Sequence, residues 1–407
     1  MIAACCEWGL GFCALLLAPL LALVPHGVAP LVGIAGLCAA GVVATNPPYR
    51  FAALPVPAAC LAALLLWGLA SALWSIEPQR SLILDLRLTA LFVGALALAA
   101  AAERIAAPQR LATFLLAGLG LGLVVTWFEL ATAGELINRI SVRGFEPYRL
   151  DQITIGLAIL APPLAAWLVQ RGWPAPALLT AAAALGTIGF LDDMTAKAAL
   201  AASLPMTALL FWRPRPTARV MAGICALFIL TAPLTLAKLD RIPGLFAAAD
   251  SFKTSAGHRL LIWSFTGAHI AERPLLGWGL DSSRAIPGGN TEIRPGQNWL
   301  SLHPHDAALQ VWLELGAPGA VLFALLLGFF WLRLDRLAAP RLYVAAAGGS
   351  LTAALAPLFA AYGVWQEWWL GTLALALFFG LTIARAAAIP SPRFTPLPRL
   401  GSRDAGR

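Results

Sequence analysis

The chain has 407 residues, of which 60% are hydrophobic and only 12% charged, and its mean hydropathy is +0.79. A chain of that size and apolarity is no soluble domain, so a polytopic membrane protein is expected. The net charge of +8 comes without a basic stripe of interleaved aromatics, which argues against a nucleic-acid partner.

Runs of about 20 apolar residues can cross the hydrocarbon as helices. Twelve are read in chain order, at 9–24, 28–44, 52–74, 82–102, 111–133, 151–169, 175–191, 197–212, 218–237, 306–332, 342–362 and 366–386. The first carries Glu7 in place of a basic start and no small-residue cleavage site, so it reads as a span and not as a cleaved signal. Pro25 to Pro30 leaves open a hairpin within the membrane. The expected fold is an all-α integral membrane protein of about twelve transmembrane helices, with a large periplasmic loop carrying short amphipathic helices. It divides into helices 1–9 over 1–237, the loop over 238–304, helices 10–12 over 305–386, and a disordered cytoplasmic tail over 387–407.

Basic residues set the orientation. Arg50, Arg104, Arg110, Arg171, Arg213, Arg215, Arg219, Arg333, Arg336, Arg341 and the tail from Arg385 would be cytoplasmic, and hold more than half of the 28 Lys and Arg. The short connections left outside (25–27, 75–81 and 363–365) carry only Arg80. Both termini are therefore expected in the cytoplasm. The longer outside segments are also basic, which suits an anionic ligand such as a pyrophosphate. The six cysteines lie in or beside spans, so no disulfide framework is expected.

Within the large loop, Ala256 to Glu272 has helical patterning that ends at Pro274, as an amphipathic element lying across the outer membrane face. Trp263, Trp278 and Trp299 suit the interface, where a ring and its N–H meet different media.

Candidate chemistry lies mostly in this part of the chain. Asp192-Asp193 beside Lys197 invites a metal reading, but adjacent aspartates on a helix face different ways. A polar loop tip paired with Lys197 is favoured, and no metal site is assigned. Arg259 and Arg284 are candidates for a diphosphate, because Arg offers a fixed fork of donors that stays charged in a low-dielectric site. Lys197, Arg143, Arg149 and His303 are further candidates for binding substrate. His305 stands where the loop enters an apolar helix and is the candidate general base, an imidazole titrating near neutrality. With Asp306 onward as regular helix, His305, Leu309, Trp312, Gly316 and Gly319 fall within about 40° of one line. The two glycines would then allow close helix contact on the histidine's face.

The order His305, a polar residue, nine residues, then Gly316-Ala317-Pro318-Gly319 resembles the defining motif of the O-antigen ligase and polymerase superfamily. That family usually has Asn, Ser or Gln where this chain has Asp306. The carboxylate would either raise the imidazole's basicity or cap the following helix. Arg259 to Trp263 resembles the family's Arg-x-x-x-Trp stretch, and Pro274 to Gly279 its Pro-x-x-Gly-x-Gly segment. Ser71, Trp74, Ser75 and Pro78 resemble a further segment, for which a structural role is expected, as for Asp85 and Arg87. Lys197 stands where relatives often carry Arg.

The resemblance implies a metal-independent glycosyltransferase without a cofactor, in the inner membrane and with its site facing the periplasm. It would move a glycan from a polyprenyl diphosphate carrier to a sugar hydroxyl, of lipid A-core or of a second lipid-linked glycan. The motif count selects His305 over His303 as the base. A polymerase of lipid-linked repeat units is the nearest alternative. A transporter or flippase of an anionic lipid-linked glycan is the alternative of another class, but no internal repeat supports it.

Overall fold

The computed structural model describes residues 2–45, 55–142, 144–300 and 302–389. Arg50, Arg143 and the tail beyond residue 389 lie outside these, so the readings placed on them do too.

The described residues form an all-α membrane protein. In chain order the helices are α1 (Ile2–Leu23), α2 (Val28–Ala44), α3 (Pro55–Ser71), α4 (Pro78–Ala102), α5 (Pro108–Ala131), α6 (Glu135–Ile140), α7 (Asp151–Gln170), α8 (Pro174–Phe190), α9 (Met194–Trp212) and α10 (Pro214–Thr235). Then come α11 (Leu245–Phe252), α12 (Thr254–Glu272), α13 (Ala307–Leu334), α14 (Arg341–Ala360) and α15 (Glu367–Ala388). Each of the twelve apolar runs overlaps one of these helices. Ten are long and apolar enough to cross a membrane, while α3 and α8 are apolar but shorter.

Local chemistry sets many helix starts. Pro78, Pro108, Pro174 and Pro214 open α4, α5, α8 and α10, where the missing N–H has no helical partner to lose. Asp193 caps α9 by accepting from Thr195 N and Ala196 N. Small residues let the helices approach closely. A Cβ on Gly118 of α5 would come 2.5 Å from Ala14 O of α1, and one on Gly36 of α2 would come 2.9 Å from Gly94 Cα of α4.

Arginine-rich turns gather at one end of the bundle. Arg110 pairs with Glu7 at 3.1 Å, Arg215 with Asp335 at 3.2 Å, and Arg385 donates to Ala102 O. The turns at 25–27 and 363–366 and the start of α4 meet the large loop at the other end, around one cavity. Residues 25–27 form a short 3-10 turn between α1 and α2.

The large loop is more ordered than an amphipathic strip on a membrane face. It holds α11, α12 and a small antiparallel pair, β1 (Glu292–Arg294) with β2 (Gln297–Asn298). Its tryptophans work inside the protein: Trp278 is buried and donates to His269 O, Trp263 donates to Pro304 O, and Trp299 stacks on Phe265. Trp263 and Trp299 stay partly exposed beside these internal contacts.

The regular helix expected from Asp306 onward is corrected in two places. His305 precedes α13 in the left-handed region, at φ 58°. Gly316 then breaks the helix at φ 64° and ψ −161°, so the two glycines do not form a smooth helical face with the histidine. Pro318, which lacks an N–H, makes the break intelligible: the Glu314 carbonyl has no helical partner four residues on. That carbonyl accepts instead from Gly279 N at 2.9 Å. Leu313 O accepts from Trp278 N and Leu315 O from Trp67 Nε1, while Ala317 N donates to Pro274 O. The Pro-x-x-Gly-x-Gly segment and the Gly-x-x-Gly segment are therefore two halves of one backbone lock.

Candidate functional site

Three segments carry the site: the start of α12, the 277–286 loop, and the 302–306 turn before α13. The loop is clasped from below by the end of α3 and the start of α4. Ser71 Oγ accepts from Leu280 N at 3.0 Å, Ser81 Oγ donates to Leu280 O at 2.6 Å, and Trp74 Nε1 donates to Leu276 O at 3.1 Å. The Ser71-to-Pro78 segment thus holds the loop that carries Arg284. Asp85 is buried in α4 and Arg87 pairs with Glu367 at 3.4 Å.

The 302–306 turn is fixed by its own side chains. Trp263 of α12 donates to Pro304 O at 2.9 Å, and His305 N donates to His303 Nδ1 at 3.2 Å. The two imidazoles stand 4.3 Å apart, centre to centre. Asp306 caps α13, its carboxyl accepting from Leu309 N at 2.8 Å. Of the two roles read for Asp306, this geometry supplies the cap.

The two histidines differ in what they can do. His305 Nδ1 lies 2.7 Å from Ala361 O. A carbonyl only accepts, so Nδ1 carries the proton and Nε2 keeps its lone pair. Burial lowers the His305 pKa, the Ala361 carbonyl opposes that shift, and Arg259 and His258 add to it. His303 is the reverse: its Nδ1 accepts from His305 N, so in the neutral ring Nε2 is the N–H. Burial pushes it down to about 3, with His305, Arg284 and Arg259 contributing. The residue chosen from the motif is thus the one whose free nitrogen can take a proton. Its left-handed backbone is uncommon for a residue with a side chain and is of a kind that gathers at functional sites.

His303 lines a cavity of about 390 Å³, whose wall also includes Arg80, Arg87, Arg284, His26 and Gln310. That volume suits a ligand headgroup. Asp281 sits between Arg80 at 3.4 Å and Arg284 at 3.8 Å. Both ion pairs are partly exposed and long, which leaves the guanidinium forks open to a stronger anionic partner. Arg259 and Arg284 do not share this wall. Arg284 lines the cavity, whereas Arg259 is half-buried in α12 on the side of His305 and makes no hydrogen bond or ion pair among the described residues. Both act electrostatically on His303, so both guanidiniums lie near the histidine pair.

The remaining candidates lie elsewhere. Lys197 is in the first turn of α9, and Asp193 is occupied by the cap and by Thr154 Oγ1 at 2.7 Å. The expected Asp–Lys pairing is therefore replaced by capping. Arg149 donates to Ser141 Oγ at 2.7 Å, outside the cavity wall. Arg143 is outside the described residues. Arg80, His26 and Gln310 went unread as site residues, although Arg80 was the lone basic residue of the short connections expected outside and Gln310 is a polar side chain in an apolar helix.

Residues 179–324 match a family model described as O-antigen ligase. That segment runs from α8 into α13 and contains Arg259, Arg284, His303, His305 and the glycine break. A protein of Rickettsia bellii named "Putative polysaccharide ligase" is 26% identical over 314 residues, 75% of each chain. Proteins of the same description from Rickettsia conorii and Rickettsia felis are 35% and 34% identical over 122 residues. The chain spans less than a third of the length of those two relatives, 29% and 30%. The chain is thus similar to O-antigen ligases over residues 179–324, and to a protein named a polysaccharide ligase over three quarters of its length. Arg80 and Arg87 lie outside the segment that the family model covers, so the matched segment supplies one wall of the cavity and α4 another.

Proposed function

We propose that this protein belongs to the O-antigen ligase superfamily and is a membrane glycosyltransferase of the O-antigen ligase type. It moves a glycan from a polyprenyl diphosphate carrier to a sugar hydroxyl at the periplasmic face of the inner membrane, with both termini in the cytoplasm. The observation that carries this reading is the His305 ring, held by Ala361 O so that Nε2 is the free base, near Arg259 and against His303 in the wall of an arginine-lined cavity.

His305 Nε2 takes the proton of the acceptor hydroxyl as its oxygen attacks the anomeric carbon of the donor. The bond from that carbon to the diphosphate oxygen breaks, and polyprenyl diphosphate leaves with both bonding electrons. Arg259 and Arg284, both near the histidine pair, bear the growing charge on the diphosphate. His303, with its N–H on Nε2, is a hydrogen-bond donor in the cavity wall and no base. Lys197, Arg143 and Arg149 remain candidates for the more distant parts of the two substrates. The chemistry asks for charge stabilisation and one proton acceptor, both supplied by side chains, so transfer needs no metal ion.

The acceptor is lipid A-core or a second lipid-linked glycan. Purified protein in lipid vesicles, given a lipid-linked glycan and lipid A-core, should form a glycan–lipid A-core product in the presence of EDTA. Longer lipid-linked chains would identify a polymerase. Movement of donor across the bilayer without any new glycosidic bond would overturn the reading in favour of a transporter.

A further inference from the structure

One carboxyl in α13 touches both halves of the site. Glu314 is completely buried in an apolar helix, and four donors converge on it. Oε2 accepts from Asp281 N at 2.7 Å and from Trp365 Nε1 at 2.6 Å. Oε1 accepts from Gln310 Nε2 at 3.0 Å and from the Ser283 hydroxyl. Gln310 in turn accepts from Val364 N at 2.9 Å through Oε1, which fixes its amide the right way round. A buried carboxylate is costly unless its lone pairs are filled, and here all the donors are in place.

We propose that Glu314 is the positioning residue that couples the arginine side of the site to the histidine side. On one side it holds Asp281 and Ser283, which flank the backbone leading to Arg284. On the other it holds Trp365 and, through Gln310, Val364, in the turn whose Ala361 carbonyl orients His305. The inference rests on the roles proposed above for Arg284 and His305, but the coupling itself can be measured without them.

The hydrogen-bond pattern dictates a selective rescue. In Glu314→Gln the amide oxygen must stay on the side of Asp281 N and Trp365 Nε1, since neither can accept. The new NH2 then faces the Ser283 hydroxyl, which can turn to accept, and Gln310 Nε2, which cannot. Turning the Gln310 amide only moves the conflict to Val364 N. Adding Gln310→Glu removes it: one carboxylate oxygen accepts from the new amide and the other from Val364 N. The exchanged pair restores every bond, whereas a loss caused by Glu314's charge at that position would not be restored.

The test combines transfer rates with hydrogen–deuterium exchange of the peptides around 280–286 and 361–367 in the full chain. Glu314→Gln should slow transfer about tenfold or more and speed exchange in both peptides. The Glu314→Gln, Gln310→Glu double variant should recover rate and protection together. Combined with Arg284→Lys, Glu314→Gln should cost less than the product of the two single losses, because both act on one guanidinium. Ser283→Ala, which keeps all charges, should loosen the first peptide more than the second. Unchanged exchange in Glu314→Gln, or no recovery in the exchanged pair, overturns the inference. Intact donor binding in Arg284→Lys would count against the diphosphate reading alone, since the exchange data report the coupling directly.

Discussion

Gly316 lies directly on Gly277: a Cβ added to Gly316 would come 2.9 Å from Gly277 N, with the Leu275 carbonyl nearer still. Both glycines are left-handed, at φ 64° and 69°, and a Cβ on Gly277 would come 2.5 Å from Glu314 C and O. Two motifs well separated in the chain are thus a single contact between a broken helix and a loop. The contact sets where the loop delivers Arg284 relative to the helix that follows His305.

Gly316→Ala and Gly277→Ala should each destabilise the protein, by about 1–3 kcal/mol for the strained backbone and more for the clash with main-chain atoms. Gly120 of α5 provides the control, since nothing lies within 4 Å of its added Cβ. Gly120→Ala should be neutral or stabilising by up to about 1 kcal/mol. Thermal unfolding of the purified variants in detergent measures the difference, and equal melting temperatures for all three would count against the lock.

Arg284→Lys should impair transfer strongly with expression intact, because a point charge does not reproduce a bidentate contact with phosphate oxygens. Arg259→Lys should behave likewise. Arg336 is exposed in the turn after α13, and Arg336→Lys should be nearly silent. Rates measured at matched protein amounts decide it, and equal tolerance at the three positions would remove the case for diphosphate recognition.

The spans were legible because twelve apolar runs of near-bilayer length need no tertiary information to be seen. His305 and Arg284 were singled out from local spacing and residue type, and the fold brings them near one another through His303. The cavity was not legible, because its wall joins His26 with residues of 80–87, 281–284, 302–310 and 363–368, segments that meet only after the helices pack. The break at Gly316 was hidden by laying a regular helical period over Gly-Ala-Pro-Gly, although Pro318 already forbade one helical hydrogen bond. The N–H partners of Trp263 and Trp278, Pro304 O and His269 O, were hidden for a similar reason, since they meet the indoles only in the folded loop.

Orientation can be tested at two exposed positions. Ser282 is buried, so Ser251 in α11 is the better reporter of the large loop, with Ala338 between α13 and α14 for the other end. In a variant with the native cysteines replaced, Ser251→Cys should react with an impermeant thiol reagent from the periplasm and Ala338→Cys only after the membrane is opened. Labelling of both from one side would contradict the proposed topology.

The rate should also depend on pH in a definite direction. Burial lowers the His305 pKa below its ordinary value of 6.5, so Nε2 is free at neutral pH and transfer should stay level somewhat below pH 6.5 before it falls. The same shift means that the unfolded chain binds protons that the folded one does not. Stability should therefore decline as pH drops below about 6.5, where unfolded histidines begin to charge. His303, pushed down to about 3, contributes in the same direction. A rate that rises on acidification through this range would contradict a neutral His305 base.

The most direct measurement separates donor binding from transfer in purified His305→Ala. A base that deprotonates the acceptor is needed for chemistry and not for holding the donor. The variant should bind polyprenyl diphosphate-linked glycan as the parent does, while transfer falls by about 10²–10⁴-fold. His303→Ala, which removes the acceptor for His305 N but leaves Nε2 of His305 free, should cost much less. Transfer by His305→Ala at the parent rate would contradict the mechanism.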